Sequence, residues 1–282
     1  MRAIVDIATA AALSAGELVT SCFGKTAIEE KDSSYNLVTE ADRRSEDLIV
    51  NFLQREMPES AVLGEENHHE GALTANRLWI VDPLDGTTNF AHGVPHFGIS
   101  IAYAEKGRLL AGVIYDPMRN ECFSASLGTG ALLDGSPIRV SESRALEQSL
   151  IATGFYYDRD LTMDKTLAAL HRLFKRNIRC MRRMGAASLD LTWLACGRFD
   201  GYFEYTLSSW DFAAGLLILS EAGGVASDIT GRQADLFSKG LLCSNGLIHP
   251  EFLACTLNPG VFHVENEPSD AGGTMQPGPA IA

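Results

Sequence analysis

The chain has 282 residues, 46% of them hydrophobic and 21% charged, which is enough to bury a core in one large domain or in two closely packed halves. Its 23 Lys and Arg residues stand against 36 Asp and Glu residues, so the net charge is −13. A surface this negative repels nucleic acid and anionic membranes, and neither is expected as a partner. The six cysteines are scattered without a C-x-x-C pair, which is typical of reduced thiols and predicts a cytoplasmic protein.

The first predicted element is an amphipathic helix over residues 3–22. Asp6 and Glu17 interrupt this apolar segment, and its apolar residues recur at helical spacing, which argues against a signal peptide. The sequence holds no uninterrupted run of about 20 apolar residues, so it predicts no membrane span. After a polar stretch, residues 39–42 (Thr-Glu-Ala-Asp) form a capping sequence that opens a second helix, which stops at Pro58.

Short apolar runs follow, and the first two lead directly into acidic residues. They are Ala61–Leu63 and Leu78–Val81, and both are predicted to be strands. Between His96 and Val140, β-prone runs alternate with turn clusters, which indicates an antiparallel meander. The second half alternates strands with helices. The predicted strands are 149–154, 178–183, 199–205 and 241–244, and the predicted helices are 161–176, 187–196 and 210–222.

This order of elements predicts an α+β fold, a layered sandwich of mixed sheets with helices between them. Residues 1–145 are predicted to form an N-terminal α+β half, and residues 146–257 a C-terminal α/β half. Residues 258–282 are rich in Pro, Gly and acidic side chains. Such a segment cannot bury apolar surface and is predicted to be a disordered tail.

The densest chemical signal lies in residues 79–90, Trp-Ile-Val-Asp-Pro-Leu-Asp-Gly-Thr-Thr-Asn-Phe. A buried strand is predicted to end in Asp82, and Asp85 would turn a second carboxylate toward the same point. Two neighbouring carboxylates repel each other unless a cation lies between them, and Mg²⁺ prefers oxygen ligands such as these. Gly86 gives the backbone freedom to bend, and Thr87 and Thr88 offer hydroxyls and amide donors suited to a phosphate oxygen. The alternative is an ordinary Asp-Pro/Asp-Gly turn.

Two further acidic segments flank this signal. Glu65 and Glu66 follow the preceding short strand, where a solvated turn is the alternative interpretation. Asp211 opens the apolar helix predicted at 210–222, where a negative side chain also stabilises the helix start. We expect these carboxylates to converge from both halves of the chain. The adjacent pair His68 and His69 is interpreted as part of a polar loop.

Three strings, in this order and at similar spacing, resemble the motifs of the inositol monophosphatase family. They are Gly64-Glu65-Glu66, then the Asp82–Asn89 segment, then Trp210-Asp211-Phe212-Ala213-Ala214-Gly215. The family belongs to a superfamily of Mg²⁺-dependent, Li⁺-sensitive sugar phosphatases. The similarity runs from the first helix to Leu257. It implies a five-layer α-β-α-β-α sandwich, usually assembled as a homodimer.

The resemblance also implies roles for individual residues. It assigns metal binding, by two to three Mg²⁺ ions, to Glu65, Asp82, the Leu84 carbonyl, Asp85 and Asp211. It assigns catalysis to Asp42, Thr87 and Glu65, with Asp42 and Thr87 orienting the attacking water. Substrate binding falls to Asp85, Gly86, Thr87, Ala187, Glu204 and Asp211. Lys31 matches a basic residue on the family's mobile loop.

The reaction implied is direct in-line attack of water on a small phosphorylated polyol, most directly myo-inositol monophosphate, without a phosphoenzyme. Histidinol phosphate, fructose 1,6-bisphosphate and a 3′-phosphorylated adenosine nucleotide remain alternative substrates. A regulatory role as a protein partner of the transcription machinery is a further alternative. Asn67, Tyr156 and the tail beyond Asn258 depart from the family pattern, which leaves the substrate open.

Overall fold

The computed structural model describes residues 2–25, 28–33, 36–66, 72–157 and 159–260. Within them the chain forms the following helices and strands. The first half contains α1 (Arg2–Cys22), β1 (Ile28–Ser33), β2 (Asn36–Thr39), α2 (Glu40–Glu56), β3 (Ala61–Gly64), β4 (Arg77–Asp85), α3 (Thr87–Ala91), β5 (Gly98–Glu105), β6 (Arg108–Asp116), β7 (Glu121–Ser126), β8 (Ala131–Leu133) and β9 (Ser136–Pro137). The second half contains β10 (Leu150–Thr153), α4 (Leu161–Lys175), β11 (Cys180–Arg182), α5 (Ala187–Ala195), β12 (Gly201–Glu204), α6 (Ser209–Glu221), β13 (Val225–Asp228), β14 (Leu241–Ser244) and α7 (His249–Thr256).

The strands form two large sheets and one hairpin. A seven-stranded sheet has the order β3-β4-β5-β6-β7-β8-β9, and its last five strands are consecutive antiparallel neighbours, which confirms the predicted meander. A five-stranded mixed sheet has the order β11-β10-β12-β14-β13. The polar stretch after α1 contributes to the hairpin of β1 and β2.

Side-chain alternation along the strands defines the layers. Leu78 and Ile80 of β4 pack with α5 and α6 on one face of the seven-stranded sheet, whereas Trp79 and Val81 pack with α1 and α2 on the other. The opposite side of α5 and α6 meets one face of the five-stranded sheet, and α4 and α7 cover its other face. The predicted layered α+β fold, in the order α-β-α-β-α, is confirmed.

Helix α1 packs onto the core along one face. Ala8, Ala11, Ala12, Ala15 and Val19 are at most 1% exposed, as predicted for an amphipathic helix. By length and apolar composition, the segment Ala3–Cys22 of this helix would also suffice to cross a membrane. A third of its apolar 18-residue stretch is buried inside the fold.

Some elements differ from the sequence-based expectation. Strand β4 does not end at Asp82 but continues to Asp85. Strand β13 and helix α7 were not predicted, because both are short and without clear periodicity. Asn67, His68, His69 and residues 261–282 lie outside the described residues, as does the side chain of Lys31. No disulfide links the six cysteines, all of which lie within the described residues.

Candidate active site

A cleft of about 280 Å³ lies where the two halves of the chain meet. Its lining brings together segments that are distant in sequence, from the end of β3 to the start of α6. Nine of the residues predicted from the sequence line it, namely Glu65, Asp82, Leu84, Asp85, Gly86, Thr87, Ala187, Glu204 and Asp211. Asp42 lies behind Thr87 and does not line the cleft.

The end of β4 carries two of the carboxylates because the strand is irregular there. Asp82 pairs with Ser100 and Asp85 with Gly98, so β4 has one residue more than its partner between these pairs. An extra residue breaks the strict alternation of side chains, which allows both carboxylates to face the cleft. Pro83 lies inside the irregularity, where its missing N–H costs no ladder hydrogen bond. Its carbonyl oxygen accepts a hydrogen bond from Ser45 Oγ at 2.8 Å.

The cleft concentrates negative charge. Burial raises the pKa of Asp82 well above its usual value, and the neighbouring charges of Glu65, Asp85 and Asp211 raise it further. Burial, followed by the charges of Glu65 and Asp85, also raises the pKa of Asp211 well above its usual value. Burial raises the pKa of Asp85 to about 6. The four predicted ligands thus interact electrostatically in one low-dielectric space.

Backbone amides hold three of these carboxylates in place. Asp82 Oδ1 accepts the amide of Leu84 at 3.0 Å, and Asp85 Oδ2 accepts the amide of Ser188 at 2.7 Å. Asp211 Oδ2 accepts the amide of Ser208 at 2.7 Å and completes the cap of α6. Within the described part of the chain, Asp82 Oδ2 and Asp211 Oδ1 accept no hydrogen bond.

The chemistry of these donors fits a hard divalent cation such as Mg²⁺. All of them are oxygens, and the positive charge of a cation would relieve their mutual repulsion. Among the described residues, no three His, Cys, Asp or Glu side chains are already gathered closely enough to hold an ion.

Asp42 is coupled to the cleft through Thr87. Asp42 Oδ2 accepts the amide and the hydroxyl of Thr39, at 2.8 and 2.6 Å, and thereby caps α2. Its Oδ1 accepts the Thr87 hydroxyl at 2.8 Å. Burial raises the pKa of Asp42, and the hydrogen bonds from Thr39 and Thr87 oppose that rise. A fully buried carboxylate thus fixes the orientation of a hydroxyl that lines the cleft.

Gly86 makes the turn between β4 and α3 possible. Its φ is 96°, a region that L-residues rarely adopt. A Cβ at this position would also lie 3.1 Å from the carbonyl oxygen of His96. The resulting turn presents Thr87, at the start of α3, to the cleft.

Glu204 lines the cleft from the end of β12. The Tyr202 hydroxyl donates to Glu204 Oε2 at 2.6 Å, and burial raises the pKa of Glu204 to about 7. A Cβ at Gly154 would meet the Glu204 carboxylate, so a larger residue there would require that side chain to move. Ala187, at the start of α5, lines the cleft nearby.

Sequence reasoning missed two buried acids beside the site. Glu46 of α2 is 0% exposed, and its Oε2 accepts the amide of Glu66 at 2.8 Å, next to Glu65. Asp190 of α5 is 1% exposed and lines the cleft. The sequence did contain signals of their burial. Glu46 lies on the helix face that also carries Ile49 and Leu53, and Asp190 lies between two leucines of an apolar helix.

Fold and site together define a layered α/β protein with an acidic cleft whose donor set suits divalent cations. Residues 1–259 match the model of the inositol monophosphatase family. The Nus factor SuhB of Pseudomonas aeruginosa is 43% identical over 92% of this chain and 97% of its own length. The inositol-1-monophosphatase of a Synechocystis species is 42% identical over 88% and 86%. The solved structure of the Thermotoga maritima IMPase matches with a TM-score of 0.84 at 37% identity, covering 92% of this chain and 98% of that one.

The chain belongs to the inositol monophosphatase family. Members of this family generally depend on Mg²⁺, which agrees with the all-oxygen donor set of the cleft.

Proposed function

We propose that this chain is a Mg²⁺-dependent phosphatase that hydrolyses small phosphate monoesters, with myo-inositol monophosphate as its principal substrate. The supporting observation is the convergence of Glu65, Asp82, Asp85 and Asp211, from three separate segments, on one cleft. Their charges act on one another, as the raised pKa of Asp82 reflects. A fold retains such crowding most readily where divalent cations bind.

In this proposal Glu65, Asp82 and the Leu84 carbonyl hold one ion, and Asp82, Asp85 and Asp211 hold a second. Glu65 also contributes to a weaker third. When bound, Mg²⁺ neutralises phosphate charge and makes water a better nucleophile at neutral pH. Backbone amides hold one oxygen of Asp82 and one of Asp211, and their second oxygens are left for the ions.

Asp42 and Thr87 orient the attacking water. Because the Thr87 hydroxyl donates its proton to Asp42 Oδ1, its oxygen lone pairs are directed toward other donors, such as a water molecule in the cleft. Asp42 lies at the end of this relay and assists removal of the water's proton. The amides of Gly86 and Thr87 bind phosphate oxygens, and attack is in line, without a phosphoenzyme.

The other end of the cleft binds the alcohol. Glu204 and the main chain around Ala187 offer hydrogen-bonding groups to hydroxyls, and Asp85 and Asp211 line the same cleft. We further propose that the chain assembles as a cytoplasmic homodimer. Residues 1–145 form an N-terminal half that supplies most ion ligands, and residues 146–257 form a C-terminal half that completes the site.

The test is phosphate release from myo-inositol 1-phosphate, histidinol phosphate, fructose 1,6-bisphosphate and 3′-phosphoadenosine 5′-phosphate, with Mg²⁺ and with chelator. We expect Mg²⁺-dependent turnover that is fastest with the inositol ester. Asp82→Asn should abolish turnover and leave the circular dichroism spectrum unchanged, whereas the surface control Asp164→Asn should retain activity. Full activity of Asp82→Asn, or full activity in chelator, would contradict the proposal.

A second candidate function is regulatory binding to the transcription machinery. It is favoured by the 43% identity to a protein named as a Nus factor. A stoichiometric protein partner in a pull-down, together with negligible turnover of every ester, would support this role. Turnover that Asp82→Asn abolishes, with no such partner, would speak against it.

A further inference from the structure

Asp190 is a buried acid in the wall of the cleft for which the proposed reaction has no role. It lies in the first turn of α5, three residues after Ala187, and is 1% exposed. Its Oδ1 has no hydrogen-bond partner within the described residues. Leaving a buried polar atom unpaired is costly, so such an atom in a cleft wall points to a ligand that pairs with it.

The surroundings of Asp190 are acidic rather than basic. Burial raises its pKa well above the usual value, the charges of Asp85 and Glu204 raise it further, and Arg183 opposes them. A carboxyl side chain accepts a hydrogen bond from an alcohol hydroxyl and, when protonated, also donates one. An alcohol hydroxyl has the same dual capacity, whereas a second phosphate at this end would be repelled.

We propose that Asp190 is a specificity-determining residue that hydrogen-bonds one hydroxyl of the substrate's alcohol, while Glu204 binds another. The inference deepens the proposed function and rests on it. The cleft thereby selects phosphate monoesters of uncharged, polyhydroxylated alcohols. Phenyl phosphate, whose leaving group carries no further hydroxyl, makes no use of Asp190.

The decisive comparison is between Asp190→Leu, which removes all hydrogen bonding and keeps the branched shape of the side chain, and Asp190→Asn, which retains a donor and an acceptor. We expect Asp190→Leu to raise KM for myo-inositol 1-phosphate by about 10- to 100-fold relative to KM for phenyl phosphate, because a hydroxyl is left facing an apolar group. Asp190→Asn should restore this ratio to within about 3-fold of wild type. Asp164→Asn serves as the surface control, and thermal unfolding verifies the fold of each variant.

A measurement without turnover separates this inference from the proposed function. Myo-inositol is titrated into each protein in the presence of Mg²⁺ and inorganic phosphate, and its binding is followed by saturation-transfer NMR. Asp190-dependent inositol binding supports the inference even if no ester is hydrolysed, an outcome that would defeat the proposed function alone. Equal KM changes for both esters, a failure of Asp190→Asn to restore the ratio, or inositol binding that ignores Asp190 would overturn the inference.

Discussion

Replacing Asp85 by Asn should stabilise the metal-free protein at neutral pH, although it removes a proposed ion ligand. Burial raises the pKa of Asp85 from 3.8 to about 6, so the ionised form is disfavoured in the folded state. Asn closely imitates the protonated carboxyl and can still accept from Ser188. At pH 7.5 the variant avoids an ionisation cost of about 3 kcal/mol. For a chain of this size, that corresponds to a rise in Tm of about 5–10 °C.

The gain should depend on pH with a definite sign. A carboxyl with a raised folded pKa binds more protons folded than unfolded, so wild-type stability falls as pH rises from about 4 to about 6. The advantage of Asp85→Asn should therefore be only about 1 kcal/mol at pH 4.5 and should reach its full value above pH 6.

Thermal and urea unfolding in chelator, at pH 4.5 and 7.5, measure this difference. Mg²⁺ should then raise the Tm of wild type at pH 7.5 and have much less effect on the variant, because a ligand stabilises the state that binds it. Glu147→Gln, which removes an exposed carboxylate, serves as the control and should show neither effect. If Asp85→Asn is no more stable than wild type in chelator at pH 7.5, or if its advantage does not grow with pH, the electrostatic account of the cleft is wrong.

Three further outcomes are expected. Asp42→Ala should lower kcat by about 10²- to 10⁴-fold while Mg²⁺ affinity by calorimetry stays near wild type, and an unchanged kcat would remove Asp42 from the mechanism. Gly86→Ala should lower the free energy of unfolding in urea by about 1–2 kcal/mol and should also lower kcat, because φ is 96° and the new Cβ would press on the His96 carbonyl oxygen. A variant as stable as wild type would show that the turn adapts. Dialysis against chelator should abolish phosphate release and added Mg²⁺ should restore it, whereas activity that persists in chelator would exclude a metal requirement.

The sequence was sufficient to predict the layered fold and the convergence of carboxylates on one cleft. Glu65 and Asp211 each stand next to an element boundary that local pattern reveals, through a short apolar run or a capping position, and Asp82 follows the apolar run of β4. Their order along the chain matched one family. In the structure, nine of the residues predicted in this way line a single cleft.

Other features depend on tertiary contacts that no local pattern encodes. Pro83 suggests the end of a strand, yet β4 continues because Asp85 pairs with Gly98 beyond the irregularity. Glu46 and Asp190 resemble ordinary helix residues, and only the packing of α2 and α5 against the sheets shows that both are buried. A sequence pattern indicates which face of a helix is apolar, but not which polar residue shares that face.

The hydrogen bonds of the cleft bear on how an acidic protein would bind the anionic substrate proposed for it. One oxygen of Asp82 and one of Asp211 accept a hydrogen bond from a backbone amide, which holds both side chains in place without a cation. Within the described residues their second oxygens accept no hydrogen bond, and burial and mutual repulsion disfavour their charge. Bound divalent cations would relieve this repulsion and would supply positive charge for a phosphate group. The carboxylates that weaken the metal-free fold would in this way give it an affinity for divalent cations. Because the net charge of the protein is −13, binding of an anion should therefore require Mg²⁺.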